Sequence, residues 1–94
     1  MAYSFCPHHV SHYLGIDVHD TGRVKRNIPL KPGMIITIEP GLYVDLNRSM
    51  APEIFHGIGL RIEDDILITD TGSVEVLTRS CPKNATDIEQ IMVE

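Results

Sequence analysis

Imidazoles crowd the start of the chain, in the run PHHVSHYLGIDVHD over residues 7–20, where His8, His12 and His19 recur at intervals of four and seven. Two carboxylates follow in β-branched surroundings: Glu39 in GMIITIEPGLY (33–43) and Glu63 in GIGLRIEDDILIT (57–69). Neutral imidazole is the commonest protein ligand for first-row transition metals and titrates near neutrality, and carboxylates suit hard divalent ions. One chain thus offers metal ligands and proton-transfer groups together, the ingredients of a metal-centred hydrolytic site. Taken singly, each residue has a plainer reading. A lone histidine is more often an ordinary hydrogen-bonded side chain, Glu63 beside Arg61 reads equally well as a surface ion pair, and Glu39 as a strand-end residue turned to water. The case rests on their ordered combination.

Positioning those groups requires strands. The run before Pro40-Gly41 predicts a strand over 34–39, with its carboxylate where the strand stops and the chain turns. In the third segment Leu60, Ile62, Ile66 and Ile68 alternate with Arg61, Glu63 and Asp65. One strand over 60–69 is therefore expected, with Glu63 and Arg61 on the same face. A carboxylate there is inexpensive in water and costly when covered, unless a cation compensates it. Around these lie an extended piece at 42–45, an irregular proline-bearing segment over 46–57 expected to edge the site, a turn at 70–73 and a short strand at 74–77. Thr86 with Glu89 reads as a capping box that starts a final helix through Met92, with Ile88, Ile91 and Met92 on one apolar face. The histidine segment is ambiguous. Its intervals would align on a helix face, whereas Pro7, Gly15, Val10, Ile16 and Val18 favour extended chain to about Asp20. Strands plus one terminal helix make an α+β fold.

At 94 residues the chain holds at most one domain, with a marginal core. A net charge of −5 argues against general nucleic-acid binding, which needs a basic face. Arg23, Lys25 and Arg26 form a small basic cluster in the connection over 21–31, read as a solvated loop. Cys6 and Cys81 are too few and too distant for a disulfide framework and are expected as reduced thiols. No hydrophobic run approaches membrane-spanning length, and residues 1–6 lack the basic start and apolar core of a secretion signal. Neither nucleic acid nor membrane is an expected partner.

His8, His12, Gly15, Asp17, His19 and Asp20, then Pro32-Gly33-Met34, Glu39-Pro40-Gly41 and Tyr43, then Gly59, Arg61, Glu63 and Asp64 form an ordered set over nearly the whole chain. In that order and spacing the chain resembles the C-terminal half of the catalytic domain of the pita-bread metallopeptidases (peptidase family M24), and among them the Xaa-Pro aminopeptidase (aminopeptidase P) group. The short 21–31 connection and the CPHH lead-in are most similar to the mitochondrial type of that group. Prolidases look similar in each segment but usually carry a longer insertion before the PGM strand.

The resemblance implies a curved, mainly antiparallel sheet with a C-terminal helix. It implies a metal-dependent aminopeptidase that releases the N-terminal residue from peptides with proline second, using two divalent ions, manganese first and zinc or cobalt as alternatives. His12, Glu39 and Glu63 would be metal ligands, with Glu63 bridging and Glu39 also the general base. His8 and His19 would hold substrate and stabilise the oxyanion, and Arg61 and Tyr43 would orient the metal-bound carboxylates. Asp17 and Asp20 match the motif without a catalytic part. Two further metal-binding aspartates and an N-terminal domain also belong to the pattern, and no residue of 1–94 matches them. Residues 1–94 are therefore expected to be a partial catalytic domain with doubtful activity of its own. A homodimer of the full-length parent and a mitochondrial or cytoplasmic location go with the resemblance. The competing readings are a non-catalytic fragment that binds peptide or a partner chain, and a prolidase-type dipeptidase.

Overall fold

Isoleucine and threonine, whose branched Cβ atoms suit a pleated half-buried surface, fill positions 35–38. The computed structural model, which describes residues 4–93, forms β1 there (Ile35–Ile38). β2 (Gly41–Tyr43), β3 (Gly59–Arg61), β4 (Asp64–Ile68), β5 (Val74–Val76) and a terminal helix α1 (Ala85–Met92) follow. β1, β4 and β5 make an antiparallel sheet in the order β1-β4-β5, and β2 pairs with β3 in a separate antiparallel ribbon. The architecture is α+β as expected. A tight turn closes β4 onto β5, with Gly72 at φ 76° and Thr69 N–H donating to the Ser73 carbonyl at 2.9 Å.

The single strand expected over 60–69 is instead two. β3 and β4 belong to different sheets, and the break falls at residues 62–63. The cause lies on the opposite strand. Pro40 has no N–H to give, and the Glu39 N–H donates to the Val10 carbonyl at 2.8 Å. Across the gap the main chain keeps one bond, from Ile62 N–H to the Pro40 carbonyl at 3.2 Å. The register nevertheless continues unchanged. Ile38 faces Asp64 on one side of the gap and Gly41 faces Arg61 on the other, so Glu39 and Glu63 stand opposite each other between them.

The histidine segment is extended, not helical. Residues 10–14 run along the free edge of β1: Thr37 N–H donates to the His12 carbonyl at 2.9 Å, Leu14 N–H to the Ile35 carbonyl at 3.3 Å, and Tyr13 bridges both Ile36 and Asp20. The chain then loops back through residues 15–20. Gly15 is required there, because any Cβ would collide with the Asp20 side chain, whose Oδ2 accepts the Asp17 N–H at 3.1 Å. Asp17 and Asp20 thus have a part in closing the loop that returns His19 towards His12.

Two further expectations are corrected. The segment over 46–57 contains a short 3₁₀ turn (Glu53–Phe55) and does not edge the histidine cleft. It lines an apolar cleft with Phe5, Leu42 and Leu60, the last two being cross-strand neighbours on the opposite face of the ribbon from Arg61. His56 Nε2 ties this segment together through the Arg48 and Ala51 carbonyls at 2.9 and 3.0 Å. At α1 the cap is Asn84, whose side chain accepts the Thr86 N–H at 3.0 Å, so Thr86 is already helical. Asparagine two residues earlier offers the same acceptor and wins the position. Both cysteines are free.

Candidate metal centre

Because successive side chains of a strand alternate, Thr37, Glu39, Gly41 and Tyr43 share one face, and their cross-strand partners put Arg61, Glu63 and Asp65 on that face too. Like charges directly opposite are unfavourable. Glu39 and Glu63 hold such positions, so the local structure calls for cations. One fixed cation, Arg61, and two polar groups, His12 and Thr37, answer. Arg61 Nε lies 3.7 Å from Glu39 Oε2 and 4.0 Å from Glu63 Oε2, and His12 Nε2 lies 3.0 Å from Glu39 Oε1. Thr37, buried below Glu39, accepts the His12 backbone N–H at 3.0 Å and donates its single hydroxyl proton to Glu39 Oε1 at 3.0 Å.

His12 is oriented by its own backbone neighbourhood. Nδ1 is 2.9 Å from the Tyr13 carbonyl, which can only accept, so Nδ1 carries the proton and Nε2 faces the carboxylates. This second-nitrogen contact is the usual device for aiming an imidazole at a metal. One donor atom each from His12, Glu39 and Glu63 all lie within 4.8 Å of one another. Ligands on one divalent ion, at bonds of about 2.0–2.5 Å, sit roughly 3–5 Å apart, so the donor set and its spacing fit such an ion.

The surrounding cleft, about 490 Å³, is lined by His8, His9, Ser11, His12, His19, Arg26, Glu39 and Arg61. His19 packs edge-on against His12 with ring centroids 5.0 Å apart. His8 donates from Nδ1 to the His9 carbonyl at 2.8 Å, leaving Nε2 to accept from the Tyr43 hydroxyl at 2.9 Å. Tyr43 can lie flat along the ribbon because Gly41 and Gly59 have no Cβ to meet its ring. Its hydroxyl reaches His8 and bonds neither glutamate, whereas Arg61 contacts both. The structure therefore gathers every candidate residue named from the sequence, with Tyr43 attached to a histidine in place of a carboxylate. Thr37, His9, Ser11 and Arg26 were not singled out for the site. Thr37 was within reach, since it stands two residues before Glu39 and so on the same face.

The model for metallopeptidase family M24 matches residues 1–70. The chain is 54% identical over 90 residues to Xaa-Pro aminopeptidase 3 of Homo sapiens, covering 96% of this chain and 18% of that protein. It is 54% identical over 86 residues to "Intermediate cleaving peptidase 55, mitochondrial" of Arabidopsis thaliana, covering 92% and 17% respectively. Among solved structures, aminopeptidase P from E. coli with the inhibitor Pro-Leu superposes with a TM-score of 0.84 at 48% identity, over 98% of this chain and 21% of that one. The chain thus spans about a fifth of the length of the proteins it matches.

Proposed function

The chain belongs to metallopeptidase family M24 and carries part of its pita-bread fold, and on that footing we propose that it supplies one wall of a metal-dependent aminopeptidase site that releases the N-terminal residue from peptides with proline second. The observation that carries this reading is the convergence of His12, Glu39 and Glu63 within 4.8 Å in a cleft that also holds three further histidines. These three residues would hold divalent metal, manganese ahead of zinc or cobalt, with Glu63 shared between two ions. When bound, the metal supplies Lewis acidity for the scissile carbonyl and for water.

The chain's own residues do the rest. Glu39 takes the proton from the attacking water, its carboxylate fixed by Thr37 on one oxygen and approached by Arg61 on the other. His19 donates to the oxyanion as the carbonyl becomes tetrahedral. His8, aligned between the His9 carbonyl and the Tyr43 hydroxyl, holds the substrate. Three protein ligands serve one ion adequately, and a bridged pair needs further anionic donors, in our reading two aspartates from a preceding segment of a longer protein. Short proline-containing peptides as substrates accord with the Pro-Leu inhibitor in the E. coli relative, and a mitochondrial site of action with the Arabidopsis one. A homodimer of the longer protein belongs to the same reading.

The test is metal-dependent release of the first residue from an Xaa-Pro peptide by the active protein carrying these residues. Glu39→Ala should abolish it. Cleavage that persists in that variant, or needs no metal, removes the assignment.

A further inference from the structure

The proposed chemistry leaves one buried acceptor unused. Asp65 Oδ1 is closed off from solvent and has no hydrogen-bond partner among the described residues. A buried carboxylate oxygen without a donor is costly, and few persist without a reason. The donors of the neighbouring segment are already committed. Lys83 Nζ gives its protons to Asp64 and to the carbonyls of Thr78 and Cys81, and the Thr78 hydroxyl gives its own to Asp64. That leaves the residue across the sheet. Asp65 stands directly opposite Thr37. The Ile68 N–H donates to the Met34 carbonyl at 2.9 Å, so Met34 and Ile68 form a hydrogen-bonded pair and, by alternation along the ladder, Thr37 and Asp65 form a pair of the other kind. Pairs of that kind bring their side chains closest.

The Thr37 hydroxyl therefore lies between two carboxylates, Glu39 further along its own strand direction and Asp65 across from it, with a single proton to give. That proton goes to Glu39 at 3.0 Å, while the same oxygen accepts the His12 N–H at 3.0 Å and is held in place by it. A donor that favours the charged form of Glu39 restrains it as a base, because the bond weakens as soon as Glu39 takes a proton. An empty acceptor beside the donor offsets the restraint. We infer that Asp65 is a positioning residue for the general base: as Glu39 takes the proton from water, the Thr37 hydroxyl turns from Glu39 to Asp65 Oδ1, and one charge-assisted hydrogen bond replaces another. The turn asks only for rotation of one O–H and a small approach of the Asp65 carboxyl, with the His12 N–H bond to Oγ1 kept throughout. This rests on the aminopeptidase reading above.

The experiment is a double-substitution cycle in the active protein, read as Xaa-Pro peptide cleavage at saturating manganese. We expect Asp65→Leu to lower kcat about tenfold, with KM within about twofold and manganese affinity within about threefold, as for an interaction gained during the proton transfer and absent from the ground state. Asp65→Asn, whose amide oxygen still accepts, should recover most of the loss. In the Thr37→Val background Asp65→Leu should cost less than about twofold more, since the hydroxyl it serves is gone, and in the Thr37→Ser background about tenfold again. Asp65→Ala completes the same cycle where leucine does not fold. An undiminished loss in the Thr37→Val background, a loss confined to KM or to metal affinity, an Asp65→Asn as slow as Asp65→Leu, or no loss at all overturns the role of Asp65 while the aminopeptidase reading stands. No cleavage by the unsubstituted protein overturns that reading and the role together.

Discussion

The two halves of this molecule differ in what they cover: one buries polar groups beside its apolar core, and the other leaves apolar side chains open. On and just after β1, Thr37 is 1% exposed and Glu39 7%, as deep as the core residues Ile36 and Ile68 at 6% and 7%. On the β2–β3 ribbon and on α1, Leu42 is 64% exposed, Leu60 61% and Met92 79%, and an apolar cleft of about 630 Å³ opens beside Phe5 and Phe55. A hydrophobic drive alone would sort them the other way. The difference teaches that local hydrogen bonding and register hold the candidate centre, whereas the ribbon's outer face is built to be covered by something else. Contiguous exposed apolar surface of this kind ordinarily marks contact with another layer.

The strongest way to break that contrast is to ask the 94 residues to work alone. They should cleave no Xaa-Pro peptide measurably, even with added manganese, and should bind an apolar dye through the uncovered face. Metal-dependent cleavage by the purified polypeptide, abolished by Glu39→Ala, would mean that the gathered donors suffice and that the open face is incidental.

Within the active protein, His19→Ala should lower kcat by roughly two to four orders of magnitude, with metal content nearly intact, as expected of an oxyanion or proton donor. Metal loss in that variant would exchange the roles given to His12 and His19. Glu63→Gln should weaken manganese binding about 10- to 100-fold in titration calorimetry, and Asp65→Asn, on the same face, by no more than about threefold. Equal or reversed ranking removes Glu63 from the centre. Thr37→Val should weaken binding by about tenfold and Thr37→Ser should restore it, because the hydroxyl, not the methyl, joins His12 to Glu39.

The smallest effect belongs to the periphery. Lys83 Nζ donates to Asp64 Oδ1 at 2.8 Å and Thr78 Oγ1 donates to it at 2.6 Å, tying the approach to α1 onto β4. These bonds, that from Lys83 foremost, hold the Asp64 carboxyl below its ordinary value of 3.8. A lowered folded-state pKa contributes stability that is present above 3.8 and lost as the pH falls through the folded value. Lys83→Met should therefore lower the melting temperature by a few degrees at most at pH 7 and shrink the loss of stability on acidification. An equal deficit at pH 7 and pH 3 would show that lost packing, not charge, is responsible.

Much of this was legible in the residues, for reasons that differ by element. The β-branched run at 35–38 and the alternation from Asp64 onward are strong local signals, and both strands formed where those signals lie. The break at 62–63 was not legible, since alternation stays in phase through it. What interrupts the ladder is a proline on the opposite strand and a carbonyl from Val10, both distant in sequence. The helix cap failed for a smaller reason: two residues in NAT can each serve, and spacing alone does not choose between them. For the candidate centre, residue types and order nominated side chains that the fold brings together. The attachment of Tyr43 to His8 depends on two glycines that clear a path for its ring, a relation visible only once the ribbon is paired.

The unbroken register through the gap acts as a ruler. Glu39 and Glu63 lie at matched distances from the paired residues on either side, so the stretches 39–43 and 59–63 cannot gain or lose a residue without turning one carboxylate to the wrong side of the sheet. The segment between Tyr43 and Gly59 carries no such constraint, since lengthening a surface excursion adds only slowly to its closure entropy. Along this lineage, insertions and deletions should therefore collect in the excursion and be nearly excluded from the ten residues flanking it.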